Sequence, residues 1–183
     1  KMESTSLDFT GLKIPRDYYG ERRDIMSKIV LSRIDDRLIH GQVMTAWVQH
    51  VGGNEIVIVD DKVAKDPFLS AVITGAVPKH LNAHAMTVDD AAEYLEKIKD
   101  EDKNIIILAK GPKVFLDLLE KGVQVKEINL GGMGSTQERK KLYKNISASD
   151  EERDMLKQLS AQHVHVYIQV VPNMETVEIN KIL

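Results

Sequence analysis

The feature that most restricts this chain is an alternation between two hydrophobic periods. Short apolar runs rich in β-branched residues recur from Lys28 onward: Ile29–Arg33, Glu55–Val59, His84–Met86, Asn104–Leu108, Glu127–Leu130 and Val164–Val171. Between them lie stretches whose apolar residues repeat at helical spacing. Asp66 stands before Pro67, a cap followed by a first-turn proline, and Phe68, Leu69, Val72, Ile73 and Ala76 then make one face. Thr87 caps a stripe of Val88, Ala91, Ala92, Leu95 and Ile98. Gly111-Pro112 opens a helix with Val114, Phe115, Leu118 and Leu119 inward, which Gly122 stops. Ser149 with Glu152 forms a capping box ahead of Met155, Leu156 and Leu159. Strands and helices alternating over short connections predict a single α/β domain, its sheet mainly parallel, with helices on both faces. A chain of 183 residues is long enough to give such a domain a substantial core. Residues 1–27 sustain neither period and read as an N-terminal extension, a linker or a tail remnant, which leaves 28–183 as the domain.

In such a fold ligands meet the carboxyl ends of the strands, where strand hands over to helix. The first of these ends is Ser32 to Val43, SRIDDRLIHGQV, which crowds Arg33, Asp35, Asp36, Arg37 and His40 together. Helical apolar positions, Val43, Met44, Trp47 and Val48, follow it. An imidazole titrates at about pH 6.5, so at neutral pH one ring nitrogen keeps a lone pair for nucleophilic attack. Arg37 offers a planar fork to phosphoryl oxygens. Gly41 allows close backbone approach, and amides at a helix start favour an anion. A carboxylate can hold the imidazole by its other N–H; Asp35 is the nearer candidate, and Asp36 stays open. An Asp-Asp-Arg run is also compatible with a solvated loop.

A second constellation, Asn129 to Gln137, NLGGMGSTQ, closes the fifth apolar run. Its amides could cradle phosphate, or its glycines could serve a tight turn. It lacks the lysine of nucleotide-binding P-loops. Asp60-Asp61-Lys62 reads as a solvated loop, and His163 and His165, alternating on the sixth run, make no convincing zinc site. No metal site and no cofactor are therefore expected. The chain has no cysteine, which excludes disulfides, thiolate catalysis and Cys-based zinc. A net charge of -3 without a basic block gives no reason to expect nucleic acid or direct binding to an anionic membrane.

Arg33 to Val43, RIDDRLIHGQV, resembles the active-site signature of the mannose/fructose/sorbose family of IIB components in the bacterial phosphoenolpyruvate-dependent sugar phosphotransferase system. The resemblance extends over roughly Ser27 to Leu183, with further marks at Ile56 to Pro67, IVIVDDKVAKDP, and Ile128 to Gly134, INLGGMG. It implies a sheet of about seven mostly parallel strands and a cytoplasmic phosphocarrier enzyme. Such an enzyme accepts a phosphoryl group from a IIA component and passes it to a sugar bound by the membrane components IIC and IID. It touches the membrane only through those partners. By position in the motif, His40 would carry the phosphoryl group on Nδ1 and present an exposed ring. Arg37 would steady the group, and Asp35 would lie close to the imidazole. Gly41, Gly132, Met133, Gly134 and Ser135 would help to bind phosphate. A regulatory domain of the same fold, with histidine phosphorylation switching a partner, is the main alternative. An aspartyl-phosphate receiver built on Asp35-Asp36, Asp60-Asp61 and Lys110 is another.

Overall fold

The runs Glu55–Val59 and Ile105–Ala109 are buried at every residue, so both faces of their strands must be covered. The structure, a computed structural model, describes residues 27–41 and 43–183. The strands are β1 (Lys28–Asp35), β2 (Glu55–Val59), β3 (Asn82–Met86), β4 (Asn104–Ala109), β5 (Glu127–Gly132), β6 (Lys140–Tyr143), β7 (Ile146–Ala148), β8 (His165–Ile168) and β9 (Val177–Glu178). The helices are α1 (Val48–Val51), α2 (Asp61–Lys65), α3 (Pro67–Gly75), α4 (Val88–Lys97), α5 (Pro112–Glu120) and α6 (Asp150–Ala161). A π-helical turn, Val43–Trp47, leads into α1. Seven strands form one sheet in the order β3-β2-β4-β1-β5-β8-β9, parallel except for β9, and β6–β7 is a separate antiparallel hairpin.

The period of two sorts the strand residues into two cores. Val57, Val59, Ile105, Ile107, Ile128 and Leu130 face α4, α5 and α6, packing on Leu95, Phe115, Leu118, Leu156 and Leu159. Ile56, Ile58, Ile106 and Leu108 face the other way, against Val43, Trp47, Val48 and Val63. Helices therefore cover both faces, as the alternating pattern requires. The expected caps form: Asp66, Thr87 and Ser149 each accept from backbone amides of their helix, and Ser149 with Glu152 completes the capping box. Gly122 adopts φ +86° just past α5, a conformation that favours glycine.

Several expectations are corrected. Most of the stripe on α3 points outward: Phe68 is 79% exposed, Val72 53% and Leu69 37%, and the helix has no buried residue. Its partly buried side is Ser70, Ile73 and Thr74. Asp60-Asp61-Lys62 is no loop; Asp60 caps α2 and pairs with Lys110 at 2.8 Å. The sixth run stops at Ile168, because the Gln169 and Val170 carbonyls turn from the ladder to accept from Arg33. His163 lies before that strand at φ +64°, so it shares no strand face with His165. The readings of the extension fall on residues 1–26 and lie outside the described residues; Ser27 itself bonds to the Ile98 and Glu101 carbonyls.

Candidate functional site

β1 is a central strand, and its last residues carry charge: Arg33 stands between Leu108 of β4 and Asn129 of β5, and Asp35 lies opposite Gly132 of β5. Arg33 and Asp35 alternate onto one face, both essentially without solvent contact. A buried guanidinium loses its hydration, a cost of several kcal/mol unless partners replace the water (about that order). The partners are present. Nη2 of Arg33 donates to Asp35 Oδ2 at 2.9 Å and to the Val170 carbonyl at 3.2 Å. Nη1 donates to Asn129 Oδ1 and to the Gln169 carbonyl. The Trp47 ring lies 5.2 Å from the guanidinium carbon, and the indole N–H donates to the Val170 carbonyl. Gly131 makes this burial possible, since a Cβ there would fall 1.9 Å from the Arg33 Cζ. The β1–β5 register shifts at this level, with Ile34 opposite Leu130 but Asp35 opposite Gly132.

Asp35 is thus gripped from two sides. Arg37, half exposed, adds Nε to Oδ1 at 2.9 Å and Nη2 to Oδ2 at 3.1 Å, a bidentate fork, and its backbone N–H also donates to Oδ1. Burial pushes the Asp35 carboxyl up, but the Arg37 hydrogen bonds and the Arg33 charge outweigh it and hold it below the ordinary carboxylate range. Burial pulls Arg33 below its ordinary value, and the Asp35 bonds raise Arg37 above its own. Two cations share this one carboxylate, and the Asp36 carboxylate beside Arg37 balances the second charge.

His40 lies beside this cluster. Its Nε2 is 3.8 Å from Asp35 Oδ2, on the side of the carboxylate but beyond hydrogen-bond length, and has no other partner among the described residues. Its Nδ1 is 3.0 Å from the Leu38 carbonyl, which fits a proton on Nδ1 in this state. Leu38 holds that carbonyl in place with φ +53°, a left-handed conformation uncommon for a leucine, and its side chain is buried. The ring is 16% exposed, so the freely exposed imidazole expected from sequence is mostly covered here. Gly41 follows it, exposed and with open space around its Cβ position.

The glycine-rich segment does not form a free cradle of amides. The Gly134 N–H already donates to Asp36 Oδ2 at 2.7 Å, and the Gly132 carbonyl accepts from the Asp36 N–H. Gly132 passes Asp35 so closely that a Cβ would lie 3.0 Å from Oδ1. Met133 is buried in the core, and Ser135 is exposed. Asp36 therefore braces the glycine loop, and Asp35 is the carboxylate beside the imidazole. Sequence reasoning missed Arg139, which binds Asp36 and Glu152, because residues 103 apart in the chain leave no local pattern. It also missed the Arg33 role, although a charge two positions before Asp35 in an apolar strand is a usable signal. A cavity of about 130 Å³ lined by Tyr143, Gln169, Val170 and Met174 opens behind the Arg33 carbonyl partners and does not include His40. Among the described residues no group of three or more His, Cys, Asp or Glu side chains could hold a metal ion, and no helix is long and apolar enough to cross a membrane. For the receiver reading, Asp60 is already committed to its helix cap and to Lys110.

A strand-end histidine beside a carboxylate held by two arginines supplies the nucleophile and the cations that group transfer requires. The model of the sorbose subfamily of phosphotransferase-system IIB components matches residues 29–183. The chain belongs to this family, whose members are sugar phosphotransferase components. It is 32% identical over 158 residues to the N-acetylgalactosamine-specific phosphotransferase enzyme IIB component 2 of Escherichia coli, spanning 86% of this chain and 100% of that one. It is 30% identical over 148 residues to the fructose-specific EIIB component of Bacillus subtilis, 81% of this chain and 91% of the relative. The crystal structure of the IIBSor domain of the sorbose permease from Klebsiella pneumoniae superposes with a TM-score of 0.79 at 28% identity, over 84% of this chain and 94% of that one.

Proposed function

We propose that this chain carries a phosphoryl group on His40, taking it from a IIA component and giving it to a sugar held by the membrane components IIC and IID, in the cytoplasm. The observation that carries the reading is the His40–Asp35–Arg37 cluster at the end of β1, within a chain of the IIB family. Attack by Nδ1 requires its lone pair, so the proton now facing the Leu38 carbonyl must be on Nε2 instead. Asp35 Oδ2 lies on that side and can take up the Nε2–H when the ring moves closer by less than an ångström (about that order). The N–P bond then forms at Nδ1 as the donor phosphohistidine releases its own nitrogen, with Nε2–H retained throughout. Among the described residues Arg37 Nη1 has no hydrogen-bond partner, and the half-exposed guanidinium is positioned to meet phosphoryl oxygens. In transfer to sugar the hydroxyl oxygen forms the new O–P bond as the His40 Nδ1–P bond breaks, leaving a neutral imidazole with its Nε2–H, and the hydroxyl proton passes to solvent. The sugar, among them fructose, sorbose, mannose or N-acetylgalactosamine, is selected by the membrane components.

The test is phosphotransfer from a phosphorylated IIA component to wild type and His40→Ala. Acid-labile, alkali-stable phosphate on wild type alone is expected. Equal labelling of both proteins overturns the assignment.

A further inference from the structure

The exposed face of Arg37 accounts for binding phosphate, but not for what holds the turn Asp35-Asp36-Arg37 still while two different partners dock on it. That turn follows a strand whose register with β5 shifts between Ile34 and Asp35 and whose pairing with it ends at Asp35 opposite Gly132. Within the turn Asp35 accepts from the Arg37 and Leu38 N–H groups, and the ties to the rest of the fold come from Asp36. Its backbone N–H reaches the Gly132 carbonyl and its Oδ2 accepts from Gly134 N–H. The same Oδ2 accepts from Arg139 Nη1 at 2.7 Å, and that Nη1 also lies 3.3 Å from the Gly134 carbonyl. Arg139 is in turn anchored on Glu152 by Nε, at 3.1 and 2.9 Å, and by Nη2 at 2.7 Å. Glu152 is itself immobilised, since its Oε2 accepts the Ser149 N–H in the α6 capping box. Arg139 is 14% exposed and Glu152 18%.

One guanidinium therefore ties three segments: the His40 turn, the glycine loop and the first turn of α6. We propose that Arg139 is a positioning residue for phosphotransfer, fixing Asp36 and through it the turn that carries Asp35, Arg37 and His40. The proposal rests on His40 being the phosphoryl acceptor. A planar fork is needed for the job, because a lysine ammonium cannot face Glu152 and Asp36 with fixed geometry at once. Misplacement of a reacting group by about an ångström costs on the order of a hundredfold in rate. Arg139 does not touch the reacting atoms, so its loss lowers the rate of transfer and leaves donor binding nearly unchanged.

Single-turnover transfer from phosphorylated IIA is measured on wild type, His40→Ala, Arg139→Gln, Asp36→Asn and the double variant Arg139→Gln with Asp36→Asn, with thermal midpoints alongside. The expected result is a fall of about tenfold or more in the maximal rate for Arg139→Gln and Asp36→Asn, with a change of less than about twofold in the IIA concentration at half-maximal rate. The double variant should be no slower than the worse single one, since both remove the same clamp. Asp36→Asn keeps the side-chain volume, which preserves the test if Arg139→Gln fails to fold. A wild-type maximal rate in either folded variant overturns the positioning role and leaves His40 as acceptor. Full labelling of His40→Ala overturns the acceptor reading, and the Arg139 proposal falls with it.

Discussion

Arg33 shows how a single buried charge dictates the identity of residues far away in sequence. Four of its five N–H groups find acceptors in Asp35, Asn129 and the Gln169 and Val170 carbonyls, while Nε is buried with none among the described residues. The guanidinium needs room as well, and only a residue without a side chain leaves enough at position 131. Gly131→Ala would place a methyl group onto the guanidinium carbon, so the arginine must leave its site and Asp35 must lose a partner. Breaking a buried pair in this way costs on the order of 3–5 kcal/mol. Urea unfolding of Gly131→Ala should show a loss of that size, and a loss below about 1 kcal/mol would mean that Arg33 relocates cheaply. Gly132 is less restrictive, because the nearest atom to an added Cβ is the Asp35 Oδ1 at 3.0 Å.

The elements differ in how much the tertiary structure demands of them. α6 begins with the Ser149–Glu152 capping box, and the same Glu152 anchors Arg139. Ser149→Ala removes the acceptor for the Glu152 N–H and should destabilise the fold by about 1 kcal/mol, read as a shift in the denaturation midpoint at unchanged slope. α3 behaves in the opposite way. Its Phe68 and Val72 lie in solvent and fill no core position. Phe68→Ser should change stability by less than about 0.5 kcal/mol, whereas Phe115→Ala in α5, at 0% exposure, should cost about 3–5 kcal/mol. Comparable losses for the two would show that Phe68 is covered in solution.

Across the whole molecule, stability is linked to acid through carboxylates the fold keeps ionised. Burial pushes Asp35, Glu55 and Asp60 up, yet in each case hydrogen bonds and nearby cations prevail and the folded value lies below the ordinary range. For Glu55 these are the Tyr94 hydroxyl, Asn82 and Lys103; for Asp60, Lys110 and the α2 amides. Groups depressed in the folded state bind fewer protons there than in the unfolded chain, so stability rises with pH across the interval between the two values. Their contribution is complete above the unfolded carboxylate range of about pH 4 and disappears as pH falls through the lower folded values. Stability measured against pH should be level from about pH 7 to 5 with respect to these groups, and fall below about pH 4. Asp35→Asn and Glu55→Gln should each make that acid limb shallower; an unchanged limb in both would remove these carboxylates from the linkage.

The sequence by itself determined the α/β class, the caps of α3, α4 and α6, the end of α5 and the ionisable cluster at the end of β1, because each depends on residues within a few positions of one another. It offered Asp35 as the nearer carboxylate to the imidazole and left Asp36 open; the fold sets Asp35 Oδ2 3.8 Å from Nε2 and turns Asp36 to Arg139 and Gly134. The outward face of α3 was not legible, as a hydrophobic period reports that a stripe exists but not whether anything lies opposite it. Nor were β9 and the β6–β7 hairpin, whose short strands carry little pattern of their own. The Arg139 clamp, the Arg33 acceptors and the engagement of Gly134 by Asp36 join segments about 100 residues apart (roughly half the chain), and such contacts exist only after the sheet has ordered its strands. The direction of the His40 ring belongs to the same group: the left-handed turn at Leu38 aims a carbonyl at Nδ1, and the packing of Arg33 beneath Trp47 fixes the carboxylate on the other side.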